Sequence, residues 1–141
     1  MTKPNECTKI KEINYRKAVR GIIERYDINE EWAHSGIIKA GDFCFLNYCV
    51  GNWGQSVEAQ VHGAIDEMER RLALVGLGLE HVVQMDCLFR DVWNIPIMEK
   101  VIKERFHGKY PVRKSIQTNF AARGGAEGLQ FQLDGIAYAG K

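Results

Sequence analysis

An α+β layer, with two helices packed on one face of a mixed β-sheet, is the architecture that this 141-residue sequence predicts. Three observations lead there. Two segments carry apolar residues at helical steps of three and four; shorter segments alternate apolar and polar residues as half-buried strands do; and the two kinds follow one another as strands, helix, strand, helix, strands. With 45% apolar and 26% charged residues, the chain has enough core-forming side chains for one globular domain.

Residues 1–27 read as an N-terminal extension, part helical or flexible, ahead of a domain over 28–141. Ile13, Val19, Ile22, Ile23 and Tyr26 recur at rough helical intervals, which predicts a helix over 12–27 weakened by Gly21. Residues 1–25 hold seven Lys and Arg against three Glu, an excess that either a solvated arm or an acidic partner would explain. The run Asp42 to Val50, DFCFLNYCV, is a strand leaving the Gly41-Asp42 turn. A helix follows, capped by Ser56, with Val57, Val61, Ile65, Met68 and Leu72 as its apolar stripe and Gly76-Leu77-Gly78 as its stop. Asp66, Glu67, Glu69, Arg70 and Arg71 are assigned to its solvent side.

Val82 to Phe89 is the next strand, with Val83, Met85, Cys87 and Phe89 turned to the core and Gln84 and Asp86 away from it. Asn94 caps the second helix, Pro96 fits its first turn, Ile97, Met98, Val101, Ile102 and Phe106 line its buried side, and His107-Gly108 closes it. Two strands end the chain: Lys114 to Phe120, and one in which Leu129, Phe131 and Leu133 alternate with Gln130, Gln132 and Asp134. Gln84, Asp86, Gln132 and Asp134 make the second sheet face too polar for another internal core, whereas the aromatic first strand is too apolar for water alone. A closed homo-oligomer covering that face resolves the conflict; a monomer with one wet face, as antiparallel sheets allow, is the alternative.

A net charge of +1 gives no general reason to expect a nucleic-acid or membrane partner, and no window approaches the roughly 18 apolar residues of a membrane helix. Cys7, Cys44, Cys49 and Cys87 lack paired spacing, and the N-terminus lacks an apolar signal core, so they read as reduced thiols of a cytoplasmic protein. His34, His62, His81 and His107 have no zinc-like spacing, and no metal or cofactor is expected. The sharpest chemical signal is Tyr110-Pro111-Val112-Arg113. Proline fixes its own φ and biases Tyr110 toward extended backbone, so a stiff approach aims Arg113. A guanidinium so held can grip a small carboxylate through two parallel charge-assisted bonds, although residue pattern alone leaves an ordinary surface arginine open.

Several pieces in order are Lys39-Ala40-Gly41-Asp42, Ala59-Gln60, the run Gly76 to Val83, Arg90-Asp91, Phe106, Tyr110 to Arg113 and Gly135-Ile136-Ala137-Tyr138. Their spacing resembles that of the reactive intermediate deaminases (Rid), also called endoribonuclease L-PSP-like proteins, from about His34 to Tyr138. The resemblance implies a chorismate-mutase-like fold and a homotrimer with a barrel-like centre and clefts between subunits. It also implies cofactor-free hydrolysis of reactive enamines and imines, such as 2-aminoacrylate, to 2-keto acids and ammonia. On this resemblance Arg113, Gln132 and His34 form the catalytic set, and Arg113, Asn47, Tyr48, Cys49 and Ser115 bind a small carboxylate metabolite.

Arg113 falls on the family's carboxylate-binding arginine. His34 stands near a usual tyrosine, and Gln132 near a usual water-orienting glutamate. An amide can hold a water but cannot take its proton, so a non-catalytic carboxylate-binding or interaction module on the same scaffold is the second reading. Asn47-Tyr48 replaces a usual Ser-Gly, and the shortened loop after it carries Trp53; Tyr48 and Trp53 either narrow the pocket or pack between subunits. The loop Ala121 to Gly128 is longer than the family's and brings Arg123 and Glu127, the latter a candidate replacement acid. Cys49 and Ser115 have no visible activating base, so no covalent mechanism is expected. A ribonuclease reading rests only on the family's older name and the basic N-terminal residues.

Overall fold

Strands Ile23–Asn29 (β1), His34–Ala40 (β2), Phe43–Cys49 (β3), Val82–Phe89 (β4), Val112–Gln117 (β5) and Phe131–Tyr138 (β6) form one sheet in the order β1-β2-β3-β6-β4-β5. The computed structural model of the chain describes residues 5–11, 22–120 and 127–140. All neighbouring strands run antiparallel except β4 and β5, which are parallel and therefore need a crossover. Helix α2, Ile95–Phe106, supplies it, and helix α1, Val57–Ala73, lies across β3 and β6 against α2. Both helices cover one face of the sheet. The core between the layers includes Ile65 and Met68 of α1, Met98 of α2, and Met85, Phe131 and Leu133 of the sheet. The α+β layer with a mixed sheet is thus the observed architecture.

Local chemistry explains the helix ends. Ser56 Oγ accepts from Ala59 N at 3.2 Å, and Gly76 takes a φ of 74° just beyond the last turn of α1. Asn94 stands at the N-cap of α2, but its side chain makes no capping bond. That bond is made one turn earlier, where Asp91 Oδ1 accepts from Trp93 N at 2.9 Å and heads a short 3₁₀ turn. His107 closes α2 in the left-handed region, φ 51°.

Four expectations are corrected. Ile23 and Tyr26 lie in strand β1, not a helix, because pairing with Ala40 and Ile37 of β2 satisfies their backbone; positions 12–21 of that expected helix lie outside the described residues. Strand β5 runs Val112–Gln117, not 114–120, its start set by the Gln84–Val112 pairing. In β4 a register shift between Val82 and Gln84 turns Val82 inward and leaves Val83 exposed. Arg71, assigned to water, is buried in the helix–sheet layer. Strand β2, which periodicity did not single out, joins edge strand β1 to β3.

A close backbone approach anchors the loop after β3 to α1. A Cβ on Gly63 would stand 2.8 Å from the carbonyl carbon of Gly51, and one on Gly51 would stand 2.7 Å from that of Gly63. Asn52 Nδ2 reinforces the contact by donating to Ala59 O at 2.8 Å. Alanine ordinarily improves a helix interior by about 1 kcal/mol over glycine, but overpacking against backbone costs about 1–3 kcal/mol. Gly63→Ala is therefore expected to lower stability by about 1–2 kcal/mol in urea unfolding, against helix propensity; an increase would show that the loop yields freely.

Candidate functional site

Register decides where Arg113 points. It lies opposite Met85 of β4, a core residue, so its side chain leaves edge strand β5 on the helix-covered side of the sheet. Ser115, opposite Cys87, shares that side. The guanidinium lies over α2, with Nη2 3.2 Å from Glu99 Oε2 and Nη1 3.7 Å from Met98 Sδ. It borders a cleft of about 180 Å³ with apolar walls from Met85, Ile102 and Pro111 and polar ones from Glu99, Lys103 and Tyr110. Here a stiffened strand entry, a cation and an apolar wall meet.

A second group of candidate residues forms at the far end of β3. From Leu46 to Cys49 this strand advances three positions while β6 advances two, Gly135 to Leu133, so Asn47 and Tyr48 form a β-bulge. Buried Arg71 reaches from α1 to stabilise it. Its Nη1 donates to Tyr48 O at 2.7 Å and Asn47 O at 3.1 Å, while its Nε stands 3.3 Å from Asp27 Oδ2 and 3.2 Å from Glu67 Oε1. Arg70 binds the same two carboxylates, at 2.8 and 2.6 Å. The Arg70 hydrogen bond, foremost, holds the Asp27 carboxyl below its usual range despite partial burial. A sequence signal for Arg71 existed: Ala64, Met68 and Arg71 stand at core-facing steps of four and three, which its charge concealed.

The bulge sets the aim of the surrounding side chains. Tyr48 packs edge-on against His34, with ring centroids 5.6 Å apart and planes at 69°. His34 Nδ1 and Asn47 Nδ2 are buried with no hydrogen-bond partner among the described residues, an exception to the usual pairing of buried polar atoms. Cys49, expected beside the cleft, instead points into the core because the extra residue inverts the alternation. Burial, partly offset by Arg71, pushes its thiol up to about 12, which removes it as a nucleophile at neutral pH.

Gln132 lies elsewhere again. It pairs with Leu88 and faces the side of the sheet that no helix covers. Two positions on, Asp134 stands directly opposite Asp86. Burial first, and the Asp86 charge second, raise the Asp134 carboxyl to about 6, while Lys114 Nζ, 3.7 Å from Asp86 Oδ1, works the other way. The sequence marked both aspartates as polar but did not reveal that β4 and β6 are neighbours. Trp53 and Glu127 are exposed, and Arg123 lies outside the described residues.

The chain therefore brings Arg113 together with Ser115, and His34 with Asn47 and Tyr48, but it does not join the two groups. Strands β3 and β5 are separated by β6 and β4, about 14 Å at ordinary strand spacing.

The Asp86–Asp134 pair has a measurable signature. The folded pKa of Asp134 lies above its reference of 3.8, so the folded chain binds this proton more tightly and gains stability as pH falls from about 7 through 6 toward 4. Asp134→Asn is expected to raise the thermal midpoint at pH 7.5, with the difference from the parent chain shrinking as the pH approaches 4. A difference independent of pH would remove the carboxylate pair as its cause.

No protein-family model and no curated protein matches the chain. Solved structures do. One from Streptococcus pyogenes, described as a member of the highly conserved yjgF family, is 68% identical, with a TM-score of 0.81 over 85% of this chain and 98% of that one. A YjgF-family protein from Neisseria meningitidis shares the fold at 19% identity, with a TM-score of 0.75 over 84% and 96% of the two chains. A Mycobacterium tuberculosis member of the YjgF/YER057c/UK114 family does so at 21%, with a TM-score of 0.71 over 82% and 98%. With two-thirds of its positions shared with the streptococcal protein across nearly all of that protein's length, this chain belongs to the YjgF/YER057c/UK114 family, the Rid family that its motifs indicate.

Proposed function

We propose that this chain hydrolyses reactive enamine and imine acids of the 2-aminoacrylate kind to 2-keto acids and ammonia. The substrate carboxylate is held by Arg113 in a cleft that a neighbouring copy completes within a homotrimer. The observation that carries the reading is Arg113 itself: its guanidinium leaves the β5 edge toward a cleft with apolar walls, where a small planar acid has both a charge partner and shelter from water.

The assembly accounts for two other features. The uncovered sheet face exposes Phe43, Phe45, Ile116 and Tyr138 beside the aspartate pair, a mixed surface of the kind subunit interfaces bury. A neighbouring copy packed there, around a barrel-like centre, would bring its His34, Asn47 and Tyr48 toward the Arg113 cleft. A cytoplasmic place of action fits three buried free thiols, and no helix among the described residues is long and apolar enough to cross a membrane.

In the proposed reaction, protonation at carbon converts the enamine to an imine, water adds to the imine carbon, and ammonia departs. Arg113 contributes binding and orientation, and the apolar walls limit competing solvent. A neighbour's Gln132 can position the water, and a neighbour's His34 carries a ring nitrogen that can take and return its proton. The second reading, a carboxylate-binding module without turnover, is favoured by Gln132 itself, whose amide takes no proton.

Purified protein added to 2-aminoacrylate generated in situ by a serine dehydratase is expected to speed the appearance of ammonia and pyruvate; a rate equal to buffer at micromolar protein rejects deamination of this substrate. Arg113→Ala should weaken pyruvate binding at least about tenfold, since each lost charge-assisted bond is worth about 1.5–3 kcal/mol. Unchanged calorimetric affinity would remove Arg113 from the site. Gln132→Glu restores a proton acceptor, a type of group worth about 10²–10⁴ in rate, and is expected to raise turnover. Continued inactivity with pyruvate binding intact would support the binding module.

A further inference from the structure

Arg113 already has a carboxylate partner within its own chain. Glu99, in the first half of α2, offers one oxygen to one guanidinium nitrogen at 3.2 Å, and among the described residues the neighbouring nitrogen meets the thioether of Met98 at 3.7 Å. Both side chains of the pair are substantially exposed, 31% for Arg113 and 43% for Glu99. A single-point, exposed ion pair contributes little, whereas a ligand carboxylate can use both arms of the fork, so the exchange of Glu99 for ligand is favourable. Once displaced, the Glu99 carboxylate remains on the cleft wall beside the ligand.

The charge balance of that wall is small and countable. Arg113 and Lys103 supply two positive charges and Glu99 one negative charge, with Glu99 and Lys103 one helical turn apart on the same side of α2. Tyr110, Met85, Ile102 and Pro111 complete the lining without charge. We infer that Glu99 is the residue that sets ligand charge in this cleft: by cancelling one of two cations, it matches the cleft to monocarboxylates and disfavours dicarboxylates. This inference rests on Arg113 as the carboxylate grip and adds the class of acid that the grip accepts.

Propionate and malonate separate the idea cleanly, because they are of similar size and differ by one carboxylate. Isothermal titration of both into the parent chain, Glu99→Gln and Arg113→Ala gives the test. Glu99→Gln is expected to tighten propionate about two- to fivefold by removing the internal competitor. Malonate should tighten by a further factor of about five, because repulsion of its second charge is relieved as well. Lys103→Met should act oppositely, weakening malonate more than propionate, and serves as the second arm should Glu99→Gln fold poorly. An unchanged malonate-to-propionate ratio in both variants, or weaker binding of both acids to Glu99→Gln, overturns the inference. Arg113→Ala distinguishes the two failures: lost binding of both acids keeps Arg113 as the grip while the role of Glu99 falls, and unaltered binding defeats both.

Discussion

The buried guanidinium of Arg71 is the constraint on which the His34–Asn47–Tyr48 end depends. A β-bulge leaves carbonyls outside the ladder, and buried carbonyls without donors are costly. Arg71 donates to both bulge carbonyls with one nitrogen and faces two carboxylates with another, so its own burial is compensated by the groups it organises. The arrangement works in both directions. Without the bulge Arg71 Nη1 would lose both of its carbonyl acceptors, and without Arg71 the two bulge carbonyls would lose this donor. The same network reaches β1 through Asp27, which takes a left-handed φ of 57° and packs so closely on Gly36 that a Cβ there would collide with its carboxylate.

Gln60 performs a similar task one turn from the start of α1. It is fully buried, donates to Gln55 O and Gly128 O, and accepts from Gln130 N. One side chain thereby joins the loop after β3 to the entry of β6. Together Gln60 and Arg71 use α1 as a rigid post to which the irregular parts of the sheet are tied, and the apolar stripe between them, Val61, Ala64, Ile65 and Met68, supplies the hydrophobic contact. Polar residues at core positions cost desolvation, but here each is satisfied by backbone groups that the fold would otherwise leave without partners.

Much of this was legible beforehand, and the misses share a cause. Both helices and strands β4 and β6 follow from periodicity because each has one buried face, and β3 follows from its short aromatic run after the Gly41-Asp42 turn. Strands β1 and β2 were harder to read: β1 is an exposed edge strand, and His34–Ala40 shows no alternation that hydrophobicity alone would mark. Arg71 and Gln60 occupy helical core positions that a binary apolar pattern assigns to water. Arg113 could be singled out because proline stiffness is a local property. The Asp86–Asp134 pair could not, because a cross-strand pair exists only once the strand order is known.

The strand order also divides the chemistry between the two sides of the sheet. Arg113 and Lys103, the cations suited to hold a carboxylate, lie on the helix side, whereas Gln132 and the Asp86–Asp134 pair lie on the uncovered side. On the proposed reading Arg113 grips the anion, while Gln132 and the Asp86 and Asp134 carboxylates of the same chain face away from it. Hydrolysis requires both at the same carbon, within hydrogen-bond reach. On the proposed reading, assembly and turnover are therefore linked: the uncovered face of one copy, or the His34 end of another, has to reach the β5 edge of its neighbour before a bound acid meets a group able to move its proton.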